Sequence, residues 1–119
     1  MISARIFLVG NVGKAPESSY TPNGKFISKF SFAVTTGWGD NKATDWYNIT
    51  AWEKTGEMVQ KLVDKGTGLL IEGELSHRAW TDKEGVEHIS NDVTMKDFNV
   101  TARGKEKSDE DQTNPYDNE

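Results

Sequence analysis

The 119-residue sequence contains no cysteine, which excludes disulfides, thiolate metal ligands and thiol catalysis. Histidine is almost as scarce. His77 and His88 are the only two, and no His-Glu-x-x-His spacing surrounds either, so neither a metal site nor a cofactor is expected. No apolar run approaches the roughly 18 residues of a membrane span. The short apolar stretch at 2–9 contains Arg5 and runs into Gly10-Asn11 rather than a cleavage site, so no secretory signal is expected. On that reading the glycosylation sequons at Asn48 and Asn99 are discounted, and the protein is expected to be soluble and intracellular.

An excess of positive charge is also missing. The net charge is −5. Its distribution is uneven, because Asp109, Glu110, Asp111, Asp117 and Glu119 fall within residues 108–119, which hold no Lys or Arg. Subtracting those 5 from 19 acidic residues leaves 14, against 14 basic residues, so residues 1–107 are neutral. A neutral body cannot hold a polyanion by phosphate charge alone. Any nucleic-acid role must lean on another interaction, and base stacking on aromatic rings supplies one.

Apolar periodicity ends near Ala102. Residues 1–102 read as one domain, and residues 103–119 as a disordered acidic tail. Strands are expected over Ile2–Asn11, Lys25–Thr35, Asp45–Trp52, Leu69–Trp80 and Val86–Val100. Pro22-Asn23-Gly24 and Asp82-Lys83-Glu84-Gly85 mark turns, and Gly37–Lys42 reads as a loop. Met58, Val59, Leu62 and Val63 recur at helical spacing, which predicts a helix over Glu53–Lys65 with Gly66 as its stop. Five strands with one helix between the third and fourth is the element order of an all-β OB-fold, a five-stranded Greek-key barrel.

A strand sends alternate side chains to opposite faces. In Asp45–Trp52 one face holds Tyr47, Ile49 and Ala51, which suit a barrel interior. The other holds Trp46, Asn48, Thr50 and Trp52, a mixture suited to a wet surface. In Leu69–Trp80 the inner set is Leu69, Ile71, Gly73 and Leu75, and Trp80 falls with Arg78 on the polar face. Trp38 sits between two glycines in the loop. All four tryptophans thus avoid the expected core. A single such tryptophan is more often a core or interface residue than a ligand platform, but four on polar positions shift the balance. Each base stacked on an aromatic ring contributes about 1–3 kcal/mol. Arg78, Lys54 and Lys65 are the candidate phosphate contacts.

Other motifs lead nowhere. Gly10-Asn11-Val12-Gly13-Lys14 lacks the full phosphate-loop spacing and is followed by Ala15-Pro16. Glu72 and Glu74 share a strand face without a partner base, so a solvated face explains them and no enzyme is expected.

These segments resemble the bacterial-type single-stranded DNA-binding protein family. The resemblance covers about residues 1–100. It is carried by Leu8-Val9-Gly10-Asn11-Val12-Gly13, Ala15-Pro16-Glu17, Tyr20-Thr21-Pro22-Asn23-Gly24 and Lys29-Phe30-Ser31-Phe32-Ala33. Further on come Asp45-Trp46, Leu70-Ile71-Glu72-Gly73-Glu74-Leu75 and Arg78-Ala79-Trp80-Thr81-Asp82. The family's base-stacking aromatics fall on Trp38, Trp46, Trp52 and Trp80. The resemblance implies a non-catalytic homotetramer that binds and protects single-stranded DNA with little sequence preference in replication, recombination and repair. It also implies a cytoplasmic, nucleoid-associated location, or the host cytoplasm for a virus-encoded member.

Three departures stand out. Tyr47-Asn48 replaces the family's common His-Arg, which removes a phosphate contact and a residue near the subunit interface. Leu70 replaces an aromatic found near the interface between dimers. The family's acidic tip ends in Pro-Phe and docks on replication and repair proteins. Here Asp109, Glu110 and Asp111 precede Pro115-Tyr116, but Asp117-Asn118-Glu119 follow. The tail has two readings, a competitor for the DNA groove or a solvated solubility segment. Two other functions fit the same scaffold, a protein-interaction module that has lost DNA binding and an oligosaccharide binder.

Overall fold

Alternation of apolar and polar residues gives this chain strands with one face to hide and one to wet. A computed structural model describes residues 4–103. The strands are β1 (Ala4–Val12), β2 (Glu17–Tyr20), β3 (Phe26–Thr36), β4 (Ala43–Trp52), β5 (Gly68–Thr81) and β6 (Glu87–Ala102), with α1 (Glu53–Leu62) between β4 and β5. A short 3-10 turn at Gly39–Asn41 interrupts the loop between β3 and β4. The strands lie in the order β1-β5-β6-β4-β3-β2, and β1 also pairs with β3. That extra pairing turns the five long strands into a ring. The order and the position of the helix are those of the OB-fold.

Two short ladders close the ring. β1 meets β3 at Asn11↔Ala33 and Val12↔Phe32. β4 meets β6 in parallel at Asn48↔Asp92, Ile49↔Val93 and Thr50↔Thr94. Gly10 makes the first junction feasible, because a Cβ there would collide with the carbonyl oxygen of Ala33. The interior is filled by alternate residues of every long strand, among them Leu8, Phe30, Phe32, Ile49, Leu69, Ile71 and Val93. Burying a side chain of this size stabilises the fold by about 1.5–3 kcal/mol.

The α1 helix plugs one end of the ring. Its buried positions are Gly56 and Val59, and Val63 follows as an extended, buried C-cap. Met58 and Leu62, expected to share that apolar stripe, face outward. The helix ends at Leu62 rather than Lys65, and Gly66 instead turns the chain so that its N–H meets the Val12 carbonyl at 2.9 Å. Val63 ends the helix because its extended backbone buries the side chain among Leu69 and its neighbours.

β2 is an element that the sequence reading left out. Its residues, Glu17-Ser18-Ser19-Tyr20, are all exposed and show no apolar alternation. It forms because the turn after it folds it onto the edge of β3. Within that turn Thr21 N–H donates to the Lys25 carbonyl, and Gly24 takes φ +85°. With β2 counted, the helix follows the fourth strand segment, though still the third strand of the ring. The last strand, β6, runs to Ala102. The tail residues Asp109, Glu110, Asp111, Pro115 and Tyr116 lie outside the described residues. Among the described residues no helix is long and apolar enough to cross a membrane.

One backbone position is strained. Glu53, the first residue of α1, has φ 51°, the left-handed region that favours glycine. This conformation costs a side-chain-bearing residue about 1–2 kcal/mol, while glycine loses about 0.5–1 kcal/mol through its greater unfolded freedom. Glu53→Gly is therefore expected to stabilise the fold by up to about 1 kcal/mol. Urea unfolding reads this as a higher midpoint, and an unchanged or lower midpoint contradicts it.

Candidate nucleic-acid interface

The outer face of the ring over β3 and β4 is built by register. Across these strands Ile27 pairs with Trp52, Lys29 with Thr50, Ser31 with Asn48 and Ala33 with Trp46. Each inward residue of β4 forces its neighbour outward, so burying Ile49 and Ala51 exposes Trp46 and Trp52. The relative exposures are 55% for Trp46, 40% for Trp52, 44% for Trp80 and 84% for Trp38. None of the four indoles belongs to the core.

Their settings differ. Trp46 rests over Gly13, where a Cβ would come within 2.6 Å of the indole Cζ3. Trp52 caps α1 and borders a shallow depression with Lys54 and Thr55. Trp38 stands in the loop, held by the bond from Asn41 N–H to its carbonyl. Trp80 lies near the outer end of the long β5–β6 hairpin. Its ring stacks on His88, with centroids 4.5 Å apart and planes 20° apart.

An open groove of about 700 Å³ lies on the outer face, lined by Asn48, Thr50 and Arg78, each two residues from a tryptophan, but by none of the indoles themselves. Lys14, Lys29 and Arg78 supply its positive charge, and Ser31, Asn48 and Thr50 its hydroxyl and amide groups. Glu17 and Asp92 also line it, so the groove is mixed rather than basic. Arg78 is partly engaged. Its Nε donates to Asp92 Oδ2 at 3.1 Å and its Nη2 to Ser90 Oγ at 3.3 Å. Asn48 Nδ2 donates to Asp92 Oδ1 at 3.2 Å. The residue standing in place of the expected arginine therefore bridges β4 to β6 and shares a carboxylate with Arg78.

The structure brings Arg78 into the groove and places Lys54 beside Trp52. Lys65 stands apart, on the turn between α1 and β5, and lines neither the groove nor the Trp52 depression. The sequence reading missed Lys14, Lys29 and the Asp92 cluster. Lys29 had a local signal, since it alternates with the inward Phe30, but only the ladder with β4 shows that it faces Thr50.

Two carboxyls are shifted. Burial pushes Asp92 up, yet hydrogen bonds from Arg78 and Asn48, the Arg78 charge and the Ser90 hydroxyl together hold it below its ordinary 3.8. Asp82 is held below the same value by the hydrogen bond from His88, aided by main-chain N–H donors in its turn.

In OB-folds the face of the second and third barrel strands, with two flanking loops, takes up oligonucleotides or oligosaccharides. Here those strands are β3 and β4, the flanking segments are 13–25 and 82–86, and the face carries Trp46 and Trp52; the barrel is of the OB class. More specifically, the chain belongs to the single-strand binding protein family, which it matches over residues 3–101. It is 29% identical over 109 residues to the single-stranded DNA-binding proteins of Neisseria meningitidis serogroup A and serogroup B. Those matches cover 87% of this chain and 63% of each relative, so the chain spans under two thirds of their length. Its fold is similar to that of a small single-stranded DNA-binding protein from Streptomyces coelicolor. The TM-score is 0.74 at 22% identity, covering 84% of this chain and 95% of that one.

The lowered carboxyls have a consequence for stability. A group whose folded pKa lies below its unfolded value stabilises the fold above the unfolded value, and that contribution is lost as pH falls through the folded one. Unfolding free energy is therefore expected to drop once the pH passes below about 4. The drop should be shallower in Asp92→Asn, which has no such carboxyl to protonate. Urea titrations at neutral and at acid pH check this, and identical pH slopes in the two proteins contradict it.

Proposed function

We propose that this protein binds single-stranded DNA with little sequence preference and protects it during replication, recombination and repair. The observation that carries the reading is the exposure of all four tryptophans on a barrel whose buried side chains are apolar apart from Ser28 and Thr67. An exposed indole costs solvation unless something flat covers it, and an unpaired base is flat and apolar on both faces. Trp46 and Trp52 lie six residues apart on one face of β4, about 20 Å along an extended strand. Trp80 and Trp38 flank them on the hairpin and the loop. Lys14, Lys29, Arg78 and Lys54 then neutralise phosphates between stacked bases. Few charges take part, so binding is less salt-sensitive than for a strongly basic protein. The cytoplasm, with its DNA, is the compartment this reading assigns.

The same reading includes self-association into a tetramer. Phe7 and Val9 project from the outer face of β1 with 66% and 62% of their surface exposed, beside Leu70. This strip lies on β1 and the start of β5, ten residues before Trp80 and away from the outer face of β4, so a second copy can cover it without blocking Trp46 or Trp52.

Titration with an oligothymidylate is expected to quench tryptophan fluorescence strongly. Trp46→Ala should weaken binding by about 1–3 kcal/mol. Absence of quenching at low salt would overturn strand binding. Native mass spectrometry is expected to show a tetramer, and Phe7→Glu with Val9→Glu a smaller species that stays folded by circular dichroism. A monomeric wild type would remove the assembly.

A further inference from the structure

We propose that His88 is a positioning residue for Trp80, holding the indole so that one face is spoken for and the other is turned to the strand. The inference rests on the reading of Trp80 as a base platform. It is drawn from a relay of contacts running from the hairpin turn outward.

The relay starts in the main chain. The turn after β5 is closed by Asp82 N–H donating to the Val86 carbonyl and Gly85 N–H donating to the Asp82 carbonyl. Gly85 takes φ +83°, which the tight turn requires. The Asp82 side chain is fixed by the same turn, because its Oδ1 accepts from the N–H groups of Glu84 and Val86, both at 2.9 Å. That leaves Oδ2 for His88, whose Nε2 lies 2.8 Å away. His88 sits directly opposite Trp80 in the β5–β6 ladder, and its ring is stacked on the indole. Four main-chain bonds thus orient a carboxylate, the carboxylate orients an imidazole, and the imidazole orients the indole.

One effect follows. An indole already held in place loses less freedom when a base stacks on it.

The test combines three variants with two readouts. In oligothymidylate titrations near pH 8, His88→Ala is expected to bind about two- to tenfold more weakly than wild type. His88→Phe, which keeps a flat ring, should stay within about twofold. In a Trp80→Ala background, His88→Ala should have no further effect, because the residue acts through the missing ring. The second readout needs no DNA. The Trp80 indole N–H resonance, assigned by its loss in Trp80→Phe, should be displaced further in His88→Ala, which removes the stacked ring, than in His88→Phe, which keeps one.

Equal affinity for His88→Ala and wild type, or an undiminished effect of His88→Ala without Trp80, would each overturn the proposal. So would an indole resonance unmoved by His88→Ala. If that resonance moves but no oligonucleotide binds, the relay stands and it is strand binding that falls.

Discussion

Ring closure is the constraint on which this structure depends. The hairpins of the barrel are long ladders made by neighbours in sequence. β1 joins β5 by an eight-pair ladder from far along the chain, and the ring then shuts through the two pairs between β1 and β3 and the three parallel pairs between β4 and β6. Once shut, every long strand has an inside and an outside, and the inside is filled with aliphatic and phenyl groups. The outer positions are then fixed by parity. Trp46 and Trp52 are outside because Ile49 and Ala51 are inside. The proposed binding face is thus a consequence of core packing, as much as of the tryptophans themselves.

Much of this was legible in the chain. Strands of alternating character and the helix between them could be read from local pattern, and so could the polar company of each tryptophan. What pattern could not supply was register. Nothing near Asn48 in sequence announces Asp92, 44 residues away. Lys14 follows the first strand as an ordinary surface residue and enters the groove only because the barrel curves β1 against β3. His88, noticed only as a poor metal ligand, gains a role from the hairpin ladder that sets it against Trp80. β2 was illegible for another reason. Its polar residues have no strand preference of their own and pair because the turn at 21–25 delivers them to an open edge. The helix end was misplaced because Leu62 and Val63 look alike in sequence, while only Val63 reaches the interior.

The electrostatics of the groove bear on how it discriminates. Lysines and an arginine line it, but Asp92 takes up part of the Arg78 fork and Glu17 adds a second negative charge. A surface of this kind attracts a polyanion weakly and non-specifically. For the proposed strand binding, such a surface leaves most of the free energy to stacking, which every base can provide. The network of Arg78, Asp92, Asn48 and Ser90 also ties β4, β5 and β6 together on the outside, where no apolar packing is available.

The contact between Trp46 and Gly13 reaches further than its size suggests. Gly13 donates its N–H to the Ser31 carbonyl at the seam where β1 joins β3, and its bare Cα is the shelf under the indole. Any larger residue would lift the ring and press on the seam in the same stroke. The setting of the Trp46 ring and barrel integrity are mechanically linked through one missing methyl group. Drift at position 13 cannot retune one without disturbing the other, so the tolerance normally granted to a surface turn does not extend to it.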